Sequence, residues 1–262
     1  MQHVTSADGT RIAFERLGAG PPLLLVTGAL NDRTTRNAGM PLAKLLAERH
    51  TVICYDRRGR GDSSDTAPYA LAREVEDMAA LLSQLGGTPD VYGHSSGGLL
   101  ALAAAHAGLP IRKLALYEPP LALSALREPT PVDMVEQLVR FTEHEQRSEA
   151  VELFLSRAVR MPELALQKTK HSPHWPVLMR LAHTLSYDAL LADNPEAIVE
   201  RAKGLRLPTQ VYDGERSAPW MRAAVEILVS ALPFGVRQSL PGQSHEVDPL
   251  QLAPKLLTFF GD

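Results

Sequence analysis

The chain alternates between two hydrophobic periods through its first half. Leu23-Leu24-Leu25-Val26 is a short continuous apolar run, the pattern of a strand buried on both faces. Arg11 to Glu15, entered from an Asp8-Gly9 turn, and Thr51 to Tyr55 read as further strands. Met40 to Arg49 has helical spacing, as does Leu71 to Leu85, an amphipathic stretch ended by Gly86-Gly87. Asp90-Val91-Tyr92 returns to strand and runs into a Gly/Ser-rich corner. Leu99 to His106 is helical, and Leu114 to Tyr117 is strand again. Strands alternating with helices in this way predict a parallel sheet covered by helices on both faces.

The rhythm stops near Pro119 and resumes near Leu207. The intervening helical patterns (Val132 to Glu145, Ser148 to Arg160, Val177 to Leu191) are punctuated by Pro129, Pro131, Pro162, Pro173, Pro176 and Pro195. They predict a helical insertion over 121–205 in a core made of 1–120 and 206–262, because an inserted piece must satisfy its own backbone hydrogen bonds. Beyond it come strand Thr209 to Tyr212, helix Trp220 to Leu232, strand Val236 to Leu240 and helix Leu250 to Phe259. No internal repeat or low-complexity tract interrupts the pattern.

Composition adds exclusions. At 262 residues, 45% hydrophobic and 22% charged, the chain has ordinary globular values and suits one α/β domain. A net charge of −3 and scattered arginines give no basic stripe for nucleic acid or an anionic membrane. The single cysteine, Cys54, precludes an internal disulfide, fits a reducing compartment, and lies in a strand-like run where a buried filler is expected. Met1-Gln2-His3-Val4 has neither a basic n-region nor an apolar h-region, and no apolar stretch is long enough to cross a bilayer. The expectation is a cytoplasmic monomer or homodimer with a small-molecule substrate and no nucleic-acid or membrane partner.

Gly93-His94-Ser95-Ser96-Gly97 fits the G-x-S-x-G pattern and stands where that pattern carries chemistry, between a predicted strand and a predicted helix. A sharp strand-to-helix turn lifts the central hydroxyl clear of the backbone. The helix N-terminus beneath it offers free N–H groups and a positive dipole end to a developing oxyanion. Ser95 is the candidate nucleophile, with a plain N-cap as the bland alternative. Ser96, the next residue, would supply one backbone N–H.

On this elbow and its setting the chain resembles the α/β-hydrolase family of the serine-nucleophile type. The resemblance implies a mostly parallel eight-stranded sheet flanked by helices with an inserted helical cap. The sequence carries no metal-ligand cluster and no G-x-G-x-x-G loop, so no cofactor or metal is expected. Val26-Thr27-Gly28-Ala29-Leu30 looks like the family's loop after the third strand, with Thr27 in place of a common His. It implies the Ala29 N–H as second oxyanion donor, Leu30 being the weaker choice. Asp56-Arg57-Arg58-Gly59-Arg60-Gly61-Asp62-Ser63 resembles the family's D-x-R-G-x-G-x-S turn, to which we give a bracing role beside that loop.

Hydroxyl attack needs a base, and histidine has the pKa for it at neutral pH. Of nine histidines, His245 stands in the loop before the last helix, where the family places its own. His94 is expected to pack rather than react. The third member departs from the pattern, since the usual acid position in Asp213-Gly214-Glu215-Arg216-Ser217 is Ser217, which cannot carry the charge that steadies an imidazolium. Some members of the family hold their acid at the strand end occupied here by Glu118. Glu118 is preferred over Asp213, with Glu215 behind them and a dyad without an acid left open. Met134, Trp175, Trp220 and Leu30 are the candidate substrate-binding residues, with Phe141, Met179 and Met221 as further possibilities. The implied activity is hydrolysis of an ester, thioester or related acyl carbonyl of a small apolar substrate. A lyase or cyclase using Ser95 and His245 for proton transfer, or a receptor with vestigial chemistry, stays open as the alternative.

Overall fold

Successive residues of a strand point to opposite faces of its sheet, and the central strands here are apolar on both. In β3 (Pro22–Val26), Leu23 and Leu25 join one buried cluster while Leu24 and Val26 join another. The same division splits Val52 and Cys54 from Ile53 and Tyr55 in β4 (Thr51–Tyr55), and Ala115 and Tyr117 from Leu114 and Leu116 in β6 (Leu114–Tyr117). Such strands require helices on both sides.

The computed structural model describes residues 1–34 and 39–261. With β1 (Gln2–Thr5), β2 (Arg11–Leu17), β5 (Asp90–His94), β7 (Thr209–Gly214) and β8 (Gly235–Leu240), these strands form one eight-stranded sheet in the order β1-β2-β4-β3-β5-β6-β7-β8. β1 and β2, and β2 and β4, pair antiparallel, and every other pair is parallel. One face is covered by α1 (Met40–Leu46) and α11 (Pro249–Gly261), through Leu42, Leu46, Leu252 and Leu256. The other carries α2 (Leu71–Leu85), α3 (Ser96–His106) and α10 (Pro219–Ala231), through Met78, Leu81, Leu100, Val225 and Leu228. Cys54 is fully buried in β4, and burial pushes its thiol pKa up. No described helix is long and apolar enough to cross a membrane.

Between β6 and β7 lie α4 (Met134–Glu143), α5 (Arg147–Leu153), α6 (Glu163–Lys170), α7 (Trp175–Arg180), α8 (Leu185–Leu191) and α9 (Pro195–Ala202). A π-helical turn, Phe154–Ala158, extends α5, and a 3₁₀ turn, Ala182–Thr184, separates α7 from α8. This segment has an apolar cluster of its own, built on Met134, Leu138, Val151, Leu155, Leu178 and Leu185.

Candidate active site

The carboxyl ends of β3, β5, β6 and β8 open into a cavity of about 1400 Å³ roofed by the helical segment, the position where open α/β sheets bind ligands. Ser95 sits between β5 and α3 at φ 54°, ψ −127°. A side chain held at positive φ costs about 1–3 kcal/mol and persists only where its surroundings hold it there. Here they do: its N–H donates to the Tyr117 carbonyl at 2.9 Å and its own carbonyl accepts from Gly98 at 2.8 Å. Two glycines make room for the corner. A Cβ on Gly97 would lie 2.3 Å from the Val26 carbonyl oxygen, and one on Gly28 would lie 2.8 Å from the Ser95 Cβ.

The Ser95 hydroxyl and the His245 Nε2 are 3.1 Å apart, and His245 Nδ1 lies 2.8 Å from a Glu118 carboxylate oxygen. Glu118 is itself at positive φ, 44°, one residue past β6, and is fully buried. Its other oxygen accepts the Gly214 N–H at 2.7 Å. Burial alone would raise its pKa, but His245, then Ser217 and the Gly214 amide, outweigh it and hold the carboxyl below the usual range. Ser217, at the usual acid position, thus lies beside the Glu118 carboxylate. Its buried hydroxyl adds to the pull without reaching hydrogen-bond geometry.

The rival acids are elsewhere. Asp213 is buried against Arg237, at 2.9 Å from Nε, and also accepts from the Ser239 hydroxyl. Glu215 is exposed and accepts the Gly242 N–H at 2.9 Å. His94 does more than pack: its Nε2 meets the His245 carbonyl at 3.0 Å, so that nitrogen carries the proton and helps fix the loop of His245. Burial, then the nearby His245, push its pKa down to about 4.

Neither the Ala29 N–H nor the Ser96 N–H has an acceptor among the described residues, and both residues line the cavity. Leu30, Met134, Trp220 and Met221 line it too. Trp175 does not. It is only 6% exposed, packed into the apolar cluster of the helical segment, because α7 turns that face inward toward Leu138 and Leu185. Phe141 and Met179 likewise pack around that cluster rather than line the cavity.

The arginine-rich turn after β4 is buried. Arg57 makes a forked pair with Glu74 at 2.7 and 2.6 Å and reaches Asp188 at 2.8 Å. Arg58 forks onto Asp77 at 2.8 and 2.7 Å. Asp188, on α8, was not singled out by sequence reasoning. Its signal was a lone acid in the apolar run Leu185-Ser186-Tyr187-Asp188-Ala189-Leu190-Leu191. Burial works against its charge, yet Arg60, Arg57 and Ser96 keep its pKa below the ordinary range.

Comparison with known proteins agrees with this architecture. An alpha/beta hydrolase of Sphaerobacter thermophilus is 44% identical, with 99% of this chain and 100% of that one covered and a TM-score of 0.93. More distant in sequence are an esterase from Exiguobacterium antarcticum (17% identical, 100% and 98% covered, TM-score 0.74) and an enol-lactonase from Burkholderia xenovorans (19%, 100% of both, TM-score 0.75), which share the fold. An uncharacterized protein of Mycobacterium tuberculosis is 38% identical over 103 residues, 38% of this chain and 29% of that protein, so the match spans under a third of its length. The family model described as "Alpha/beta hydrolase family" matches residues 23–257. The chain belongs to the alpha/beta hydrolase family.

Proposed function

We propose that the protein is a serine hydrolase acting on the ester, thioester or related acyl carbonyl of a small, largely apolar molecule. The observation that carries this reading is the continuous chain from the cavity-lining Ser95 Oγ through His245 to the buried Glu118, with contacts of 3.1 and 2.8 Å. His245 Nε2 takes the Ser95 proton as the hydroxyl oxygen attacks the carbonyl carbon. The resulting oxyanion is received by the Ala29 and Ser96 N–H groups. Collapse expels the leaving group, which takes the proton back from His245. Water then gives a proton to His245, attacks the acyl carbon, and releases the acid as the proton returns to Ser95. Through these steps Glu118 holds the Nδ1–H and steadies the imidazolium. The helical segment over the cavity, acting as a cap, sets which acyl groups fit.

The test is turnover of p-nitrophenyl esters of graded acyl length, with fluorophosphonate labelling and Ser95→Ala as control. Turnover and labelling in the wild type, and neither in Ser95→Ala, are expected. A wild type silent in both assays at every acyl length would overturn the reading.

A further inference from the structure

The Ala29 N–H and the Gly28 carbonyl belong to one peptide group, and that carbonyl is not free. Arg60 Nη1 donates to it at 2.6 Å and to the Asn31 carbonyl at 3.3 Å. The other terminal nitrogen, Nη2, is 2.7 Å from an Asp188 oxygen, while Nε has no partner, so the two ends of the fork do all of this side chain's bonding. The second Asp188 oxygen accepts the Ser96 hydroxyl at 2.7 Å and Arg57 Nη1 at 2.8 Å. Arg60 and Asp188 are 1% and 2% exposed.

We propose that Arg60 is a positioning residue of the oxyanion site, acting through the Gly28–Ala29 peptide and held in place from the helical segment by Asp188. A cation bonded to a peptide carbonyl draws electron density toward that oxygen and leaves the N–H of the same peptide a stronger donor. The contact is water-excluded, so the effect is not screened as it would be at the surface. The Asp188 carboxylate meanwhile braces the second donor residue through the Ser96 hydroxyl. One acid on α8 therefore ties together the supports of both N–H groups.

The role rests on the serine-hydrolase reading and adds that its oxyanion site is completed from the helical segment. An ion network that merely glued this segment to the sheet would leave a folded variant with its chemistry intact. The variants Arg60→Gln, Arg60→Lys and Asp188→Asn separate the two, read by kcat and KM on a p-nitrophenyl ester. The second readout is the infrared carbonyl stretch of an acyl-enzyme made with a slowly hydrolysed arylacryloyl ester. Arg60→Gln should lower kcat about ten- to hundredfold, below the 10²–10³ of losing a whole donor, with KM within about twofold. Its acyl carbonyl stretch should move to higher wavenumber. Arg60→Lys, which keeps one cation but no fork, should recover part of both, and Asp188→Asn should shift both in the same direction as Arg60→Gln. A folded variant set with wild-type kcat and stretch, or a loss carried by KM alone, would overturn the proposal. If Arg60→Gln does not fold, Arg60→Lys and Asp188→Asn are judged by the same criteria. A wild type that never acylates would remove the serine-hydrolase reading and this role with it, whereas an acylating wild type with unaffected variants removes this role alone.

Discussion

In the proposed triad Glu118 has to be ionised to orient His245, and it is fully buried, so its surroundings must supply what water no longer does. The Gly214 amide on one oxygen and His245 on the other do this. Glu118→Gln keeps the shape, removes the charge, and offers an N–H where an acceptor is needed. It should lower kcat about 10³-fold with little change in KM, measured by steady-state ester turnover. Asp213→Asn should leave kcat within about threefold, since Asp213 faces Arg237 and Ser239 rather than His245; a loss comparable to that of Glu118→Gln would reassign the acid. His94 sets a pH limit. In the unfolded chain it protonates near the usual 6.5, and in the native site only near 4. The unfolded state therefore binds more protons within that window, and stability falls as pH drops from 6.5 toward 4, by an amount on the order of 3 kcal/mol from this group. In His94→Asn the melting temperature should vary less across that window than in the wild type. An unchanged slope would mean that His94 does not carry the effect.

Strands and helices that bury a continuous apolar pattern were legible before any coordinates. Leu71 to Leu85 and Thr51 to Tyr55 form at the expected bounds because each is committed on its own to one period. β1 has no readable signal because Gln2–Thr5 is a short, mostly exposed strand at the sheet edge, paired with β2. α6 and α9 escaped because each follows or begins with proline and buries one residue, Leu166 and Ala202, too little for a readable stripe. Val177 to Leu191 was expected as one helix, but a 3₁₀ turn divides it, with Ala182 and Leu185 both packed into the same small core. The site followed the same rule. Ser95 and His245 stand in local motifs, whereas Glu118 becomes readable only through the absence of an acid at Ser217, and Asp188 meets Arg57 and Arg60 from more than a hundred residues away in sequence. Among these elements β7 and β8 offer a test of their own. Arg237→Met would leave the buried Asp213 carboxylate between them with the Ser239 hydroxyl but no cation, and should cost about 3 kcal/mol in chemical denaturation. Ester turnover at a temperature where the variant is folded should be close to wild type, because Arg237 touches none of the cavity-lining groups.

At the scale of the whole molecule, the helical segment can be understood as a second small core seated on the first by a few specific ties. Asp188 is the buried one. Near it on α8, Tyr187 stacks on Tyr69 of the sheet domain with ring centroids 3.8 Å apart and donates to Asp65 at 2.7 Å. A further tie joins Arg127 of the segment to Trp220 of α10, the guanidinium lying 4.4 Å from the centre of the ring. The Tyr187 stack is partly exposed, so losing it should open the segment locally without unfolding the sheet, in the way weakly held units open first. Removing an aromatic pair of this kind forfeits about 0.5–1.5 kcal/mol beyond its buried area, which predicts a roughly two- to thirteenfold rise in the open population. Tyr187→Ala should then be cut faster by trypsin within 121–205, at a rate raised by about that factor, while the global denaturation midpoint moves little. If the segment also gates the cavity, the same variant should change KM for long acyl esters more than for acetyl esters, with kcat on the acetyl ester retained. Equal cleavage rates for variant and wild type would show that the stack carries no closure energy and that the remaining ties, Asp188 and the Arg127–Trp220 contact, hold the segment down.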